Sequence, residues 1–331
     1  MTGLFKAGLF GAGLRLLNAA LLLLAVLVLN FFLIHLAPGD PALVIAGEMG
    51  GASPEVLASI RAAYGLDLPI PVQLGRYVLR AAQGDLGFSF YFNQPVAQLI
   101  LQRLPATGLL MATALLFASV AGTALGVAAA RRPRGAVNLA VTLFAVAGYA
   151  MPVFWSGLLL LLLLASVLPL FPIGGMSNVG QPLQGAAYAL SVLHHLVLPA
   201  FTLGVVYMAQ YSRQSRAAMQ DVLRADYIRT ARAKGMTEGT VVLKHALRNA
   251  AGPVVTLLGL QFSEALGGAV LVETVYGWPG MGRLVFDSIL RRDYPTLLGV
   301  LVVSAVLVMA ANILTDLANR LIDPRIRLGA R

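Results

Sequence analysis

Few of the 331 residues in this chain are of types that do chemistry. It has no cysteine, which excludes thiol nucleophiles, disulfides and cysteine-bound metals. His194 and His195 are neighbours, so on a helix their rings point about 100° apart and serve one metal poorly. His35 and His245 each stand alone, and all four histidines read as structural or interfacial groups. None of the three lysines, Lys6, Lys234 and Lys244, is followed by Ser or Thr. A Walker A loop needs that pair to hold phosphate and magnesium, so the chain carries no ATP-hydrolysing loop of that type. No metal site and no catalytic constellation emerge.

Two polar side chains stand out in apolar surroundings. Glu264 lies in the greasy run 253–272, close in sequence to Gln261. An ionisable group at that depth is costly in lipid. Glu264 therefore either lines a hydrated pathway with Gln261 or is a carboxylate satisfied by hydroxyls. Ion-coupled secondary transport calls for several paired intramembrane charges, and only Glu264 and Asp316 qualify. On the same run Gly252, Thr256, Gly259, Ser263 and Gly267 recur three or four apart on one face. Small residues let helices approach closely in lipid, either within this chain or against a second one. Beyond the run, "ETVYGWPGMG" supplies Tyr276 and Trp278, as interfacial anchors or as part of an outer contact surface.

The elements that must carry these residues follow from composition. The chain is 58% hydrophobic and 11% charged, with a mean hydropathy of +0.80, whereas soluble domains average about 25% charged residues. Roughly 20 apolar residues in a helix cross the hydrocarbon core. Six segments qualify, at about 14–36, 105–129, 137–168, 194–212, 253–272 and 296–318. The third is long, has no polar turn within it, and is expected to kink at Pro152. The first is too long for a signal-peptide core and lacks a clear cleavage site, so it reads as a retained helix.

The net charge of +10 is explained by orientation. With both termini on the cytoplasmic side, 17 of the 24 basic residues fall inside and 7 outside. This is the positive-inside distribution, and nucleic acid is not needed to explain it. The outer segment 37–104 is too long for a loop and reads as a helical cap. In "SPEVLASIRAAYG", Ser53 is a helix N-cap, Pro54 the first helical residue and Gly65 the stop, and "PVQLGRYVLRAAQG" repeats the pattern to Gly84.

The inner stretch "DYIRTARAKGMTEGTVVLKHALRN" (226–249) holds five basic residues and a histidine. Leu223, Tyr227, Ile228 and Ala231 recur at helical spacing before Gly235. Leu243 and Leu247 do so after Thr237, a helix-capping residue. Glycine adopts the left-handed conformation that ends helices, so a helix–turn–helix is expected about Gly235. A DNA-reading role is disfavoured by the flanking spans. A positive-inside loop and a docking element for a cytosolic partner remain, and docking explains why the loop is folded.

"RTARAKGMTEGTVVLKHALRNAAGPV" resembles the cytoplasmic EAA loop of ABC importer permeases, in the form used by dipeptide, oligopeptide and nickel permeases. Gly235, Ala231 and Leu247 match the general pattern. Arg229, His245 and Arg248 depart from it, and "HALRN" is similar to the peptide-permease variant. "LAPGDPA", "YGLDLPIPVQ", "GDLGFSF", "RLPAT", "PVFW", "ETVYGWPGMGRL", "RRDYP" and "LIDPRIR" follow in that family's order.

The resemblance implies an all-α integral membrane protein with six transmembrane helices, of the MetI-like type I importer fold. It has an extracytoplasmic helical segment between the first two spans. The expected divisions are 1–36, 37–104, a permease core 105–318 with a coupling loop at about 221–249, and a cytoplasmic tail 319–331. The implied function is that of a non-catalytic permease subunit of an ATP-driven importer in a bacterial or archaeal cytoplasmic membrane. Its cargo would be short peptides, with nickel, glutathione or another small solute as the alternative. Its partners would be a paralogous permease, two ATP-binding subunits that hold ATP and magnesium, an external solute-binding protein and membrane lipid. Coupling to the ATPase would fall to Ala231, Lys234, Gly235, His245, Leu247 and Arg248. Tyr276 and Trp278 would serve an outer gate or contact the binding protein. The face from Gly252 to Gly267 would meet the second permease.

Overall fold

The computed structural model describes residues 2–36, 39–46, 53–178, 180 and 183–322, with helical backbone alone for 2–12, 14–16 and 319–322. The tail 323–331, and with it most of "LIDPRIR", lies outside the described residues, as do Ala37 and Pro38 and the side chains of Lys6 and Arg15. The chain divides into two compact units. One comprises Met1–Pro105 and Leu284–Met309, the other Ala106–Arg283 and Ala310–Arg331.

The first unit begins with α1 (Thr2–Leu36), followed by α2 (Pro41–Ala46), α3 (Pro54–Tyr64) and α4 (Ile70–Ala82). Local chemistry sets the bounds of α3. Ser53 is extended and its hydroxyl accepts from the Val56 amide at 3.4 Å, Pro54 opens the helix, and Gly65 ends it at φ 65°. A left-handed residue there favours glycine, which pays no Cβ penalty. α4 starts after Pro69 and stops just before Gly84, itself at φ 83°. Ala42, Ile45, Ala46 and Ile60 form a small core beneath these helices. Arg61 bonds Asp40 and holds its carboxyl below the usual carboxylate range. A two-residue antiparallel pair that sequence did not announce follows, β1 (Phe88–Ser89) with β2 (Gln94–Pro95), Phe88 opposite Pro95.

The long helix α5 (Val96–Arg131) passes through Pro105 and starts nine residues before the span expected from 105. The expected third span is two helices, α6 (Ala136–Ala150) and α7 (Val153–Leu160), the second continuing as a π-helical turn over Leu161–Val167. They bend by 105° at Met151–Pro152, far beyond a kink. Proline lacks the amide to close a helical bond, and it drives the preceding residue out of helical geometry. Met151 is accordingly extended, at φ −84° and ψ 129°.

Then come α8 (Gly185–Leu223), α9 (Asp226–Ala233), a short α10 (Glu238–Thr240), a π-helical turn (Val241–Ala246) and α11 (Leu247–Val275). The last elements are α12 (Met281–Leu290), which sequence did not announce, and α13 (Tyr294–Ile322). Among the described residues, five continuous stretches are long and apolar enough to cross a membrane, and the bent pair makes up to six.

Helix packing in the second unit is close. Leu110, Ala114 and Ala118 of α5 meet Leu203, Tyr207 and Tyr211 of α8 and Ala265, Ala269 and Val272 of α11 in one core. A Cβ at Gly122 would lie 2.6 Å from the Tyr211 Cβ, and one at Gly126 would lie 2.5 Å from the Ser212 carbonyl oxygen. In lipid the hydrophobic effect gives helices no drive to associate, so such backbone proximity supplies the packing contacts instead. In the first unit Asp293 caps α13. Its carboxylate accepts from the hydroxyls of Thr296 and Ser89, both at 2.6 Å, so "RRDYP" ties the last long helix to β1.

Candidate functional site

The stretch 226–249 folds into a compact turn on the ends of three long helices. α9 closes with the paired bonds of a Schellman motif: Gly235 N–H donates to Arg232 O at 2.9 Å, and Met236 N–H to Ala231 O at 3.4 Å. Gly235 takes φ 73°, which the motif requires and only glycine adopts freely. Thr237 stands extended at the next helix start, but its hydroxyl meets Thr240 Oγ1 at 2.9 Å and caps no amide. The turn is clasped from outside by Arg232, whose Nε and Nη2 donate to Glu238 Oε2 and Oε1 at 3.1 and 2.8 Å. This bond holds the Glu238 carboxyl below its ordinary range.

Beneath the turn, Ile228, Ala231, Val241, Val242 and Ala246 are buried against Val127 and Ala130 of α5, Met219 of α8 and Ala250 of α11. The residues picked from sequence therefore divide into two groups. Ala231 is buried and Leu247 packs against this small core, so both build the turn. Lys234, Gly235 and Arg248 are exposed. His245 is half-buried, its backbone oxygen accepting from Asn249 at 2.8 Å, while its Nε2 is enclosed without a partner. What faces outward is Tyr227, Met236 and Leu243, exposed by 47%, 41% and 65%; spacing places Tyr227 and Leu243 in the apolar pattern but does not single out Met236. The arginines and lysines of α9 and the turn flank them. The arrangement presents apolar knobs in a basic rim, on a base fixed by glycine geometry.

The "ETVYGWPGMG" turn is also a built structure. Glu273 is fully buried, accepting from the Thr107 hydroxyl at 2.6 Å, the Gly282 amide at 2.7 Å and the Arg283 amide at 3.1 Å. It thus caps the start of α12, where free amides and the helix dipole favour an anion. A Cβ at Gly280 would lie 2.2 Å from its Oε1. Tyr276 and Trp278, expected at an interface or an outer surface, are 2% and 0% exposed. Tyr276 Oη lies 2.8 Å from Thr202 Oγ1 and donates to Gly157 O at 3.1 Å, while Trp278 Nε1 donates to Ala106 O at 2.9 Å. Neither ring offers surface to another protein in this structure.

The two polar residues of α11 are not brought together. Gln261 is buried and donates to Gln210 of α8 at 3.1 Å, whereas Glu264 is exposed. On the small-residue face, Gly259 abuts Thr315 of α13, with a Cβ there 2.2 Å from its Oγ1. Gly252 and Gly267 meet nothing within 4 Å, Thr256 is exposed and Ser263 half-buried. His194 and His195 bond separate carbonyls, of Leu170 and Ser191.

The chain matches two family descriptions. Residues 122–328 match the binding-protein-dependent transport system inner membrane component, and residues 13–111 its N-terminal membrane component. The oligopeptide transport system permease protein AppB of Bacillus subtilis is 40% identical over 307 residues, covering 92% of this chain and 95% of that one. The dipeptide transport system permease protein DppB of Escherichia coli is 39% identical over 323 residues, covering 92% and 94%. Among solved structures, an inward-facing MetNI methionine ABC transporter chain aligns with a TM-score of 0.54 at 17% identity, over 68% of this chain and 97% of its own, a likeness of fold. Matched over most of its length, the chain belongs to the family of binding-protein-dependent transport system inner membrane components, as a transmembrane permease subunit.

Proposed function

We propose that this chain carries short peptides inward as one half of the membrane pathway of an ATP-driven importer. The observation that carries the reading is the identity of about 40% with permeases named for oligopeptides and dipeptides, along more than nine-tenths of the chain. In this reading the chain is not catalytic. The N-terminus, the 226–249 turn and the C-terminus face the cytoplasm, where Lys and Arg are concentrated. A paralogous permease completes the pathway, two ATP-binding subunits hold ATP and magnesium, and an external solute-binding protein delivers the cargo.

The turn about Gly235 is the handle. Tyr227, Met236 and Leu243 fill a cleft on the ATP-binding subunit, and Lys234, Arg229 and Arg248 meet its acidic groups. Val241–Ala246 runs without a break into α11, so a displacement of the turn reaches the span directly. The exposed Thr256 and Gly267 and the half-buried Gly252 of α11 suit close contact with the second permease. Glu264, exposed on the same helix, suits a hydrated pathway. The test is ATP-dependent uptake of labelled dipeptides and tripeptides by the complete reconstituted complex. Peptide uptake that disappears in Gly235→Asp, with membrane insertion intact, is the expected result. Nickel or glutathione uptake in its absence would replace the cargo assignment.

A further inference from the structure

Helices α6 and α8 enclose a cleft of about 230 Å³ whose lining combines apolar and basic side chains. The apolar part is formed by Val141, Ala145, Val146 and Ala209. The basic part is formed by Arg213 and Arg216. Arg216 Nη1 donates to Asn138 Oδ1 at 2.7 Å and to Thr142 Oγ1 at 2.8 Å, which points the guanidinium across the gap between the helices. Arg213 stands 6.0 Å over the Tyr149 ring. No aspartate or glutamate lines the cleft, and neither arginine has a carboxylate within ion-pair distance among the described residues. The site holds two positive charges that no carboxylate among the described residues neutralises.

The depth of the cleft follows from the sequence. The apolar run of α8 ends at Ser212, so Arg213 and Arg216 come within the next turn, at headgroup level. α6 begins beside "RRPRG", on the same side. In the orientation proposed above, the two arginines face the cytoplasmic leaflet. A cation pair over an apolar slot is complementary to one kind of molecule in that layer, a lipid with an anionic headgroup and a hydrocarbon tail. We infer that the cleft between α6 and α8 binds an anionic phospholipid of the cytoplasmic leaflet, its phosphate between Arg213 and Arg216 and an acyl chain along Val141, Ala145, Val146 and Ala209.

The inference rests on the cytoplasmic placement of these helix ends, which cysteine labelling tests separately. The experiment uses the complete transporter in nanodiscs of phosphatidylethanolamine and phosphatidylglycerol in equal parts, doped with photoactivatable phosphatidylglycerol. Adducts should map to 138–150 and 209–216. Phosphatidylglycerol should be favoured over phosphatidylcholine by roughly 30-fold, about one factor of five for each arginine. The double variant Arg213→Gln, Arg216→Gln should lose that preference. The Arg213→Lys, Arg216→Lys pair should keep most of it, which separates charge from folding. Equal labelling by phosphatidylcholine, or labelling unchanged in the glutamine pair, overturns the proposal. So does a glutamine pair that leaves lipid labelling intact and raises the KM for peptide, which would assign the arginines to the cargo carboxylate.

Discussion

Thr107 and Glu273, 166 positions apart, share a buried hydrogen bond of 2.6 Å, and the same Thr107 hydroxyl oxygen accepts the Met281 amide at 2.7 Å. One threonine on α5 thereby fixes both the end of α11 and the start of α12. The carboxylate completes the joint by accepting two further amides, those of Gly282 and Arg283.

Removing the carboxylate takes the acceptor from two buried donors, the Thr107 hydroxyl and the Gly282 amide, and from the part-buried Arg283 amide. Each costs about 1–3 kcal/mol, so Glu273→Ala should destabilise the detergent-solubilised protein by roughly 3 kcal/mol or more. Glu273→Gln, which keeps the shape and one acceptor, should lose less. Thermal melts of both variants with Thr107→Val, taken as a double-mutant cycle, should give a coupling of about 0.5–3 kcal/mol. Additive losses would mean the bond carries no stability.

The glycines of the same turn give a steric prediction. A methyl at Gly282 would lie 2.5 Å from the Val270 Cα, and backbone cannot yield as a side chain can. Gly282→Ala should lower stability by about 1–3 kcal/mol. Gly252→Ala, whose added methyl meets nothing within 4 Å in this chain, should leave the stability of the isolated subunit within about 0.5 kcal/mol. If Gly252→Ala nevertheless weakens assembly with the second permease, the small-residue face is an intersubunit contact. Unchanged assembly would argue against that assignment.

Much of this was legible in the sequence where a residue's own backbone decides the outcome. Ser53, Pro54 and Gly65 bound α3, and Gly235 turns the chain, because caps and left-handed glycines act over a few residues. Pro152 was legible as a disturbance, but the 105° angle between α6 and α7 depends on where each half packs. The role of Glu273 was hidden because its partner Thr107 lies on another helix. Tyr276 and Trp278 looked like interfacial aromatics, since composition cannot tell a membrane surface from a helix junction. In the turn, Tyr227 and Ile228 are adjacent and both apolar. Only the presence of Val127 and Met219 beneath decides that Ile228 is buried and Tyr227 is not.

Orientation can be read directly, because the chain has no native cysteine to remove. Thr237→Cys, exposed beside the Gly235 turn, should react with a membrane-impermeant maleimide only in inside-out vesicles. Ala82→Cys, exposed at the end of α4, should react only in whole cells or right-side-out vesicles. The reverse pattern would invert the topology.

The clasp across the turn predicts a pH dependence. The Arg232 bond holds the folded-state pKa of Glu238 below its unfolded value. The pair's contribution is therefore fully present above the unfolded value, about 4.3, and is lost as pH falls through the folded one. Both side chains are nearly half exposed, so the contribution is about 0.2–1 kcal/mol. Hydrogen exchange of the amides from 228 to 242 should show less protection in Glu238→Gln than in the parent near neutral pH. The difference should close under acid. A difference that widens as pH falls would reverse the sign.

The proposed docking of the Gly235 turn on a partner ATPase places Met236, exposed beside the glycine, at the contact. With a photoreactive amino acid in place of Met236, irradiation of the assembled complex should give one covalent product of this chain with an ATP-binding subunit. Its yield should fall sharply when Gly235→Asp is added. Products with lipid alone, or a yield indifferent to Gly235, would contradict that docking.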